Sequence, residues 1–486
     1  MRQFIGTVRP TLWVTIERIF QQLFLLLIFA IQAPLLGPHA FGSITVVMVL
    51  VGFWDAAPRF AASDALISIK NIDRLHYSAV TAIFLLLSVV FGGALYWFAE
   101  PFARLVGDAT LVPVMRALAV LPVIQSLSLA PMAAAQREMQ FKSITIRTIV
   151  SLLAGGLVGL VLAVAGLGVW ALVWQALTQA IVAAVALWVV VPISFSLAFS
   201  ARHFGDVARY GLPGLLGRLM NWTEGQAPRL ILGVLAGPVD LGLFGLGARL
   251  NDMVTQVAIR PIALVARVDF RRFAEDHHAL EQAIGQALLR MSLLAFPVCT
   301  GAAAIMPALF HVWLNPKWLG GLVPAQLLLL MVMPSVTFYV ATATLLAMNR
   351  QRSEAGISTF TTASIVSVVA VFAHFGLAAL TLALFVRAVA SLPVPIIVLR
   401  RTCRIGVRFL LLPQLPALVA SCLMGLGVWT MRTRFNMDHG VAALLALIGA
   451  GAVIYALIVA AMLPRRLLEA GKQFFFEKKN QKTFAT

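Results

Sequence analysis

Leu36-Gly37-Pro38-His39-Ala40-Phe41-Gly42 joins two apolar runs, and Gly237-Pro238-Val239-Asp240-Leu241-Gly242 joins two more, 200 residues later. Both stretches fit G-P-x-x-[FL]-G, and Gly and Pro supply a tight reversal of the chain. The flanking runs, residues 11–34 and 40–68 in one case and 207–236 and 240–267 in the other, are apolar almost throughout. As helices, each is long enough to cross roughly 30 Å of hydrocarbon. Each motif therefore reads as the hairpin between two membrane spans.

The same pattern continues outward. Further helical segments are predicted at 78–99, 111–134, 145–165, 170–192, 284–313, 322–349, 355–376, 378–398, 407–430 and 440–463, which makes fourteen. The connections are short, and none has room for a soluble domain. Composition agrees: 61% of 486 residues are apolar, 12% are charged and the mean hydropathy is +0.94. A soluble chain of this length needs far more polar surface to cover itself.

The net charge of +18 would suit a nucleic-acid binder, but its distribution does not. Lys and Arg cluster in short loops beside apolar runs, where they set membrane orientation. With fourteen spans, 24 of these residues fall on the side shared by both termini and 4 (Arg104, Lys317, Arg432 and Arg434) on the other. Both termini are expected in the cytoplasm, and no nucleic-acid partner is expected. The first apolar run contains Glu17 and Arg18 and is too long for the core of a cleaved signal, so it reads as a permanent span.

Two fainter echoes accompany the repeated hairpin. Gly168, Ala171, Leu172 and Ala180 recur as Gly376, Ala379, Leu380 and Ala388, and Leu121-Pro122 has a counterpart in Met333-Pro334. Three matches in the same order favour duplication of a six-helix unit. An even number of spans makes the copies parallel repeats, an arrangement that suits a transporter with its site between the lobes. The expected architecture is an all-α polytopic membrane protein of 14 transmembrane helices. It comprises an N-lobe (1–200), a C-lobe (201–405), two further spans (406–464) and a basic cytoplasmic tail (465–486).

Charges inside spans are costly and mark functional sites. They concentrate in four helices: Glu17 and Arg18 in span 1, Asp55 and Arg59 in span 2, Arg218, Glu224 and Arg229 in span 7, Arg249 and Asp252 in span 8. Spans 1 and 2 are the repeat equivalents of 7 and 8, so the charges fall in matching places. Asp55 with Arg59 and Arg249 with Asp252 stand one helical turn apart and can pair on their own helices, a purely structural use. Arginine outnumbers acid, however. Arg18, Arg59, Arg218, Arg229 and Arg249 are the candidate lining of a cationic cavity for an anionic cargo, since guanidinium grips phosphate bidentately. Glu17, Asp55, Glu224 and Asp252 are candidates for ion coupling or internal pairing. Arg387 is central in its span but isolated.

No metal-protease, P-loop, redox or nucleophile-elbow motif is present, so no catalytic residue, cofactor or metal is assigned and an enzyme is not expected. The histidines are scattered, and Cys299, Cys403 and Cys422 read as small hydrophobes. Phe474-Phe475-Phe476 beside Lys478 and Lys479 could lie along an anionic membrane surface.

Four stretches carry a family resemblance: Leu36–Gly42 after span 1, Gln136-Arg137-Glu138-Met139-Gln140-Phe141-Lys142 after span 4, Gly168-Val169-Trp170-Ala171-Leu172-Val173 opening span 6, and Lys317-Trp318 before span 10. In combination they resemble the Wzx-type lipid-linked oligosaccharide flippases, the polysaccharide branch of the multidrug/oligosaccharidyl-lipid/polysaccharide (MOP) exporter superfamily. His39 stands where relatives often carry an acid. The resemblance implies a MATE/MurJ-like fold in a bacterial inner membrane. It also implies a cargo of undecaprenyl-diphosphate-linked oligosaccharide moved from the cytoplasmic to the periplasmic leaflet for exopolysaccharide, capsule or O-antigen. The lipid bilayer, a polysaccharide polymerase and a chain-length regulator are the further partners it implies. Alternatives are a lipid II flippase, a cation-coupled drug exporter, which so many arginines would disfavour, and a membrane polymerase or ligase. The last usually needs a sizeable catalytic periplasmic loop, and the largest here, near 100–110, offers only Glu100, Arg104 and Asp108.

Overall fold

The computed structural model describes the chain except residues 1, 55–62, 64, 68, 70–71, 192–199, 436, 438–439 and 463–486. Side chains at 2–12, 201–202, 204, 210–214, 216–221 and 224 are also outside the description. The basic tail with its three phenylalanines, and Asp55 and Arg59, therefore lie outside the described residues. The rest is helical with short links, and no described residue is in a strand. Eleven segments are long and apolar enough to cross a membrane. The protein is a multi-pass membrane protein.

The described residues group into two compact units, Met1–Gly245 with Val366–Leu377 and Leu246–Ile365 with Ala378–Thr486. In the first, α1 (Arg2–Trp54) is broken where Gly37 leaves helical geometry at φ 76° and ψ 169°. The rings of Phe29 and Phe41 lie 4.9 Å apart. Twelve residues of uninterrupted helix would separate them by about 18 Å. The chain therefore doubles back at Gly37-Pro38, as the hairpin reading requires. Next come α2 (Arg74–Trp97), α3 (Ala99–Val106), α4 (Leu111–Leu118), α5 (Leu121–Leu127) and α6 (Leu129–Arg137). The stretch expected as a loop near 100–110 is largely the short helix α3, whose Glu100 pairs with Arg116 of α4 at 2.7 Å. His39 in the hairpin meets Asp108 at 3.0 Å. Burial works against charge on Asp108, but hydrogen bonds from the Thr110 hydroxyl and amide, together with His39, hold its carboxyl below the ordinary range. The base at position 39 thus has its acid on the facing loop.

Then α7 (Phe141–Val164) and α8 (Val169–Val190) pack closely on α1. Gly155, Gly156 and Gly159 form the contact, leaving room for the side chains of Gln179, Phe24 and Gln175. Small residues let membrane helices approach and make interhelical hydrogen bonds. One such bond is present here, from Gln32 Nε2 to Gln175 Oε1 at 2.8 Å.

After α9 (Ala201–Leu235) the second hairpin turns at Gly237, φ 85°, into α10 (Gly237–Val254). A π-helical turn, Thr255–Ile259, leads into α11 (Arg260–Arg272). These are the predicted seventh and eighth spans. They are helical but fall outside the eleven apolar segments, because Gly, Arg and acidic residues dilute them. The two hairpins touch reciprocally: a Cβ on Gly42 would collide with the Pro238 carbonyl, and one on Gly242 with the Pro38 carbonyl.

The second unit is organised around α12 (His277–Trp313), which packs on α13 (Leu322–Leu330), α14 (Val332–Ala347), α19 (Leu415–Arg434) and α20 (Val441–Met462). Between them run α15 (Gln351–Phe372), α16 (Leu377–Ala390), α17 (Pro393–Cys403) and α18 (Val407–Leu411). Cys299 is fully buried in α12, as expected, but Cys422 is exposed on α19. A thiol is apolar enough for either setting.

Backbone events recur along the chain. The helix breaks between α4 and α5, at 118–121, and between α13 and α14, at 330–332, each beside a proline. Met139 (φ 58°) and Asn349 (φ 56°) are left-handed residues closing equivalent helices. Gln140 N–H donates to Ala135 O, and Arg350 N–H donates to Leu345 O, in the same six-residue cap. Gly168 and Gly376 both have positive φ just before a helix.

Prolines inside helices leave the carbonyl four residues earlier without a donor. In lipid such a group needs a protein partner. Pro131 orphans Leu127, whose carbonyl accepts from Trp188 Nε1 at 3.0 Å. Pro297 orphans Leu293, met by the Tyr455 hydroxyl at 3.0 Å. Pro307 orphans Ala303, met by Gln326 Nε2 at 2.7 Å. Tyr455→Phe should therefore destabilise the protein by about 1–2 kcal/mol. In a Pro297→Ala background, which restores the missing N–H, the same change should cost clearly less. Thermal unfolding of the four proteins in detergent measures this, and equal costs in both backgrounds would refute the assignment.

Candidate substrate site

Of the candidate cationic residues, Arg18 stands on α1, Arg218 and Arg229 on α9 and Arg249 on α10. Helix α9 is continuous through Arg218, Trp222, Glu224 and Arg229. The Trp222 ring packs edge-on to Phe53 of α1 at 5.4 Å, in space that Gly52 leaves open. Its indole N–H is buried without a hydrogen-bond partner among the described residues. Beyond Phe53, Trp54 stacks on Phe91 at 5.5 Å and donates from its indole N–H to Ser126 Oγ at 3.1 Å. An aromatic layer in the first unit therefore flanks the stretch of α9 that carries the arginines.

Glu17 is half-buried and accepts from the Thr148 hydroxyl of α7 at 2.7 Å, so its charge is engaged within the first unit. Arg18, its neighbour in sequence, is exposed. Arg229 is half-buried on α9, whereas Arg249 and Asp252 are exposed one turn apart on α10, and each of the three makes polar interactions. The side chains of Arg218 and Glu224 lie outside the described residues, as do Asp55 and Arg59 altogether. Arg387, isolated in the sequence, has a partner in space: it donates to Ser364 Oγ of α15 at 3.0 Å, while its Nε is buried without a partner among the described residues. Nothing in the spacing of Ser364 and Arg387 announces that pair, because it depends on how α15 and α16 pack.

The sequence profile of the family described as "Polysaccharide biosynthesis protein" matches residues 31–323, more than half of the chain. The chain belongs to this family. The matched span includes both G-P hairpins and the Gln136–Lys142 stretch. The chain is also similar to the succinoglycan biosynthesis transport protein ExoT of Rhizobium meliloti (strain 1021), at 23% identity over 288 residues. That match covers 59% of this chain and 58% of ExoT, so it spans little more than half the length of this curated relative. Among solved structures, the lipid II flippase MurJ in an inward closed conformation matches with a TM-score of 0.73. The match covers 94% of this chain and 100% of MurJ, at 12% identity. An inward-facing multidrug resistance MATE family transporter of the MOP superfamily matches with a TM-score of 0.54 at 15% identity, covering 78% of this chain and 96% of that one. This member of the polysaccharide biosynthesis family therefore has a MurJ/MATE-like fold.

Proposed function

We propose that the protein is a flippase. It carries undecaprenyl-diphosphate-linked oligosaccharide repeat units from the cytoplasmic to the periplasmic leaflet of a bacterial inner membrane by alternating access. The observation that carries this reading is a polysaccharide-biosynthesis sequence signature on a chain whose fold matches a lipid flippase over nearly its whole length. The recurrent backbone events support two six-helix lobes within fourteen spans, with both termini cytoplasmic. In this reading Arg18, Arg59, Arg218, Arg229 and Arg249 line the cavity that takes the diphosphate and glycan, while the polyprenyl tail stays in lipid. Bidentate guanidinium–phosphate bonds need no catalytic chemistry, only a site that faces each leaflet in turn. Glu17, Asp55, Glu224 and Asp252 serve as coupling or internal partners.

Deletion of the gene should abolish the strain's surface polymer. Arg218→Ala and Arg249→Ala should each lower it at least tenfold while the protein level in the membrane stays constant, read by polymer yield and immunoblot. If the deletion strain keeps its polymer without a substitute flippase, the function is wrong. If only the two variants behave as wild type, the cationic cavity is wrong and the flippase reading stands. The lipid II alternative predicts that the gene rescues a strain depleted of its own lipid II flippase, and the reading preferred here predicts that it does not.

A further inference from the structure

Two short sequence patterns mirror each other: Asp73-x-x-His76 at the start of α2 and His203-x-x-Asp206 in the first turn of α9. They are 127 positions apart, yet the fold of the first unit brings all four side chains together. His76 Nδ1 lies 2.6 Å from Asp73 Oδ1, and its Nε2 lies 3.8 Å from Asp206 Oδ2. His203 Nε2 lies 3.2 Å from Asp73 Oδ2. The two imidazole rings are perpendicular, with centroids 4.5 Å apart. We propose that Asp73, His76 and His203 form a binding site for a zinc-class divalent transition ion, with Asp206 beside the other nitrogen of His76, and that the ion ties the start of α2 to the start of α9.

The donor set is of the right kind. Two imidazoles and one carboxylate leave the fourth position of a tetrahedral divalent ion to water, and zinc accepts nitrogen and oxygen ligands at about 2.0–2.2 Å. Tetrahedral geometry at that radius puts neighbouring donors about 3.3 Å apart. Asp73 lies 2.6 Å from His76 Nδ1 and 3.2 Å from His203 Nε2, and one donor atom each from Asp73, His76 and His203 all lie within 4.8 Å of one another. The outer shell fits as well. The second nitrogen of His203, Nδ1, is 2.6 Å from Ser200 Oγ, a contact that fixes the ring and leaves Nε2 to face the cluster. The His76 side chain is 7% exposed and Asp73 caps α2 by accepting from the His76 N–H, so this half of the site is preformed. Asp73 and Asp206 are each 54% exposed, which gives an ion a path in from solvent.

The full-length protein, purified in detergent with its affinity tag removed, is titrated with Zn²⁺ against a chromogenic chelator, and its thermal midpoint is read with and without the ion. One equivalent should bind and raise the midpoint. His76→Gln, His203→Gln and Asp73→Asn should each weaken binding at least tenfold, whereas His278→Gln, in the exposed His277-His278 pair, should not. Asn caps a helix as well as Asp does, so Asp73→Asn keeps the test decisive if a histidine variant fails to fold. Absence of binding to the wild type overturns the proposal, as does binding that the cluster variants leave unchanged. Cluster variants that alter the ion-free midpoint but not Zn²⁺ affinity would make the four residues a hydrogen-bonded clasp and overturn the metal site.

Discussion

Gly42→Val should leave almost no folded protein in the membrane and no detectable transport. The added Cβ would lie on top of the Pro238 carbonyl, and backbone at a hairpin has nowhere to retreat. Overpacking of an ordinary core costs roughly 1–3 kcal/mol. A clash of backbone against Cβ between two fixed turns belongs at or above the top of that range. Gly42→Ala should already be severe, and Gly242→Ala should match it, because the reciprocal Cβ would meet the Pro38 carbonyl. Gly93→Ala is the control, since a Cβ there meets nothing within 4 Å. Membrane levels and monodispersity in detergent separate these outcomes, and a Gly42→Ala protein as abundant as the Gly93→Ala one would disprove the contact.

Arg137→Ala is the second large effect expected. One terminal nitrogen of this guanidinium, Nη1, donates to the carbonyls of Leu66, Ile67 and Ile69 at 3.0, 3.2 and 2.6 Å, so the end of α6 gathers the acceptors at 66–69. Hydrogen bonds from charged donors are worth about 1.5–3 kcal/mol each, and orphaned carbonyls add a desolvation penalty. Because one nitrogen serves all three acceptors, the loss should be about 3 kcal/mol rather than the sum. Arg137→Lys keeps the charge, but its side chain is shorter and its nitrogen falls short of the place Nη1 occupies, so it should recover only part of the thermal midpoint. Full recovery with Lys would show that charge alone matters there.

The helical membrane fold was open to a reader of the sequence because its signals are local. Apolar runs fix the spans, and Gly37-Pro38 and Gly237-Pro238 fix two reversals. Other features depend on packing and leave little trace. Met139 takes left-handed backbone without the glycine or asparagine that would announce it, so of the two matching caps only the one at Asn349 is advertised by its residue type. The link between Gln32 and Gln175 and that between Arg387 and Ser364 join residues whose spacing carries no period. The Asp73–His76 and His203–Asp206 patterns are each legible as single helical turns, but their meeting is not. The cost of placing charge in hydrocarbon marks the candidate arginines by their helices rather than by their rotamers. The hold of Thr148 on Glu17 depends on how α7 packs against α1 and has no sequence signal.

The proline-interrupted helices bear on motion. A carbonyl at Leu127, Leu293 or Ala303 has no water to fall back on in the bilayer, so pulling its borrowed donor away would strand it mid-stroke. Helices α5 and α8 should consequently travel as one piece, as should α12 with α13 and α20. Whatever bending a transport cycle demands must then be concentrated in segments without such obligations. The π-helical turn at Thr255–Ile259, between α10 and α11, is a natural place for a hinge of this kind.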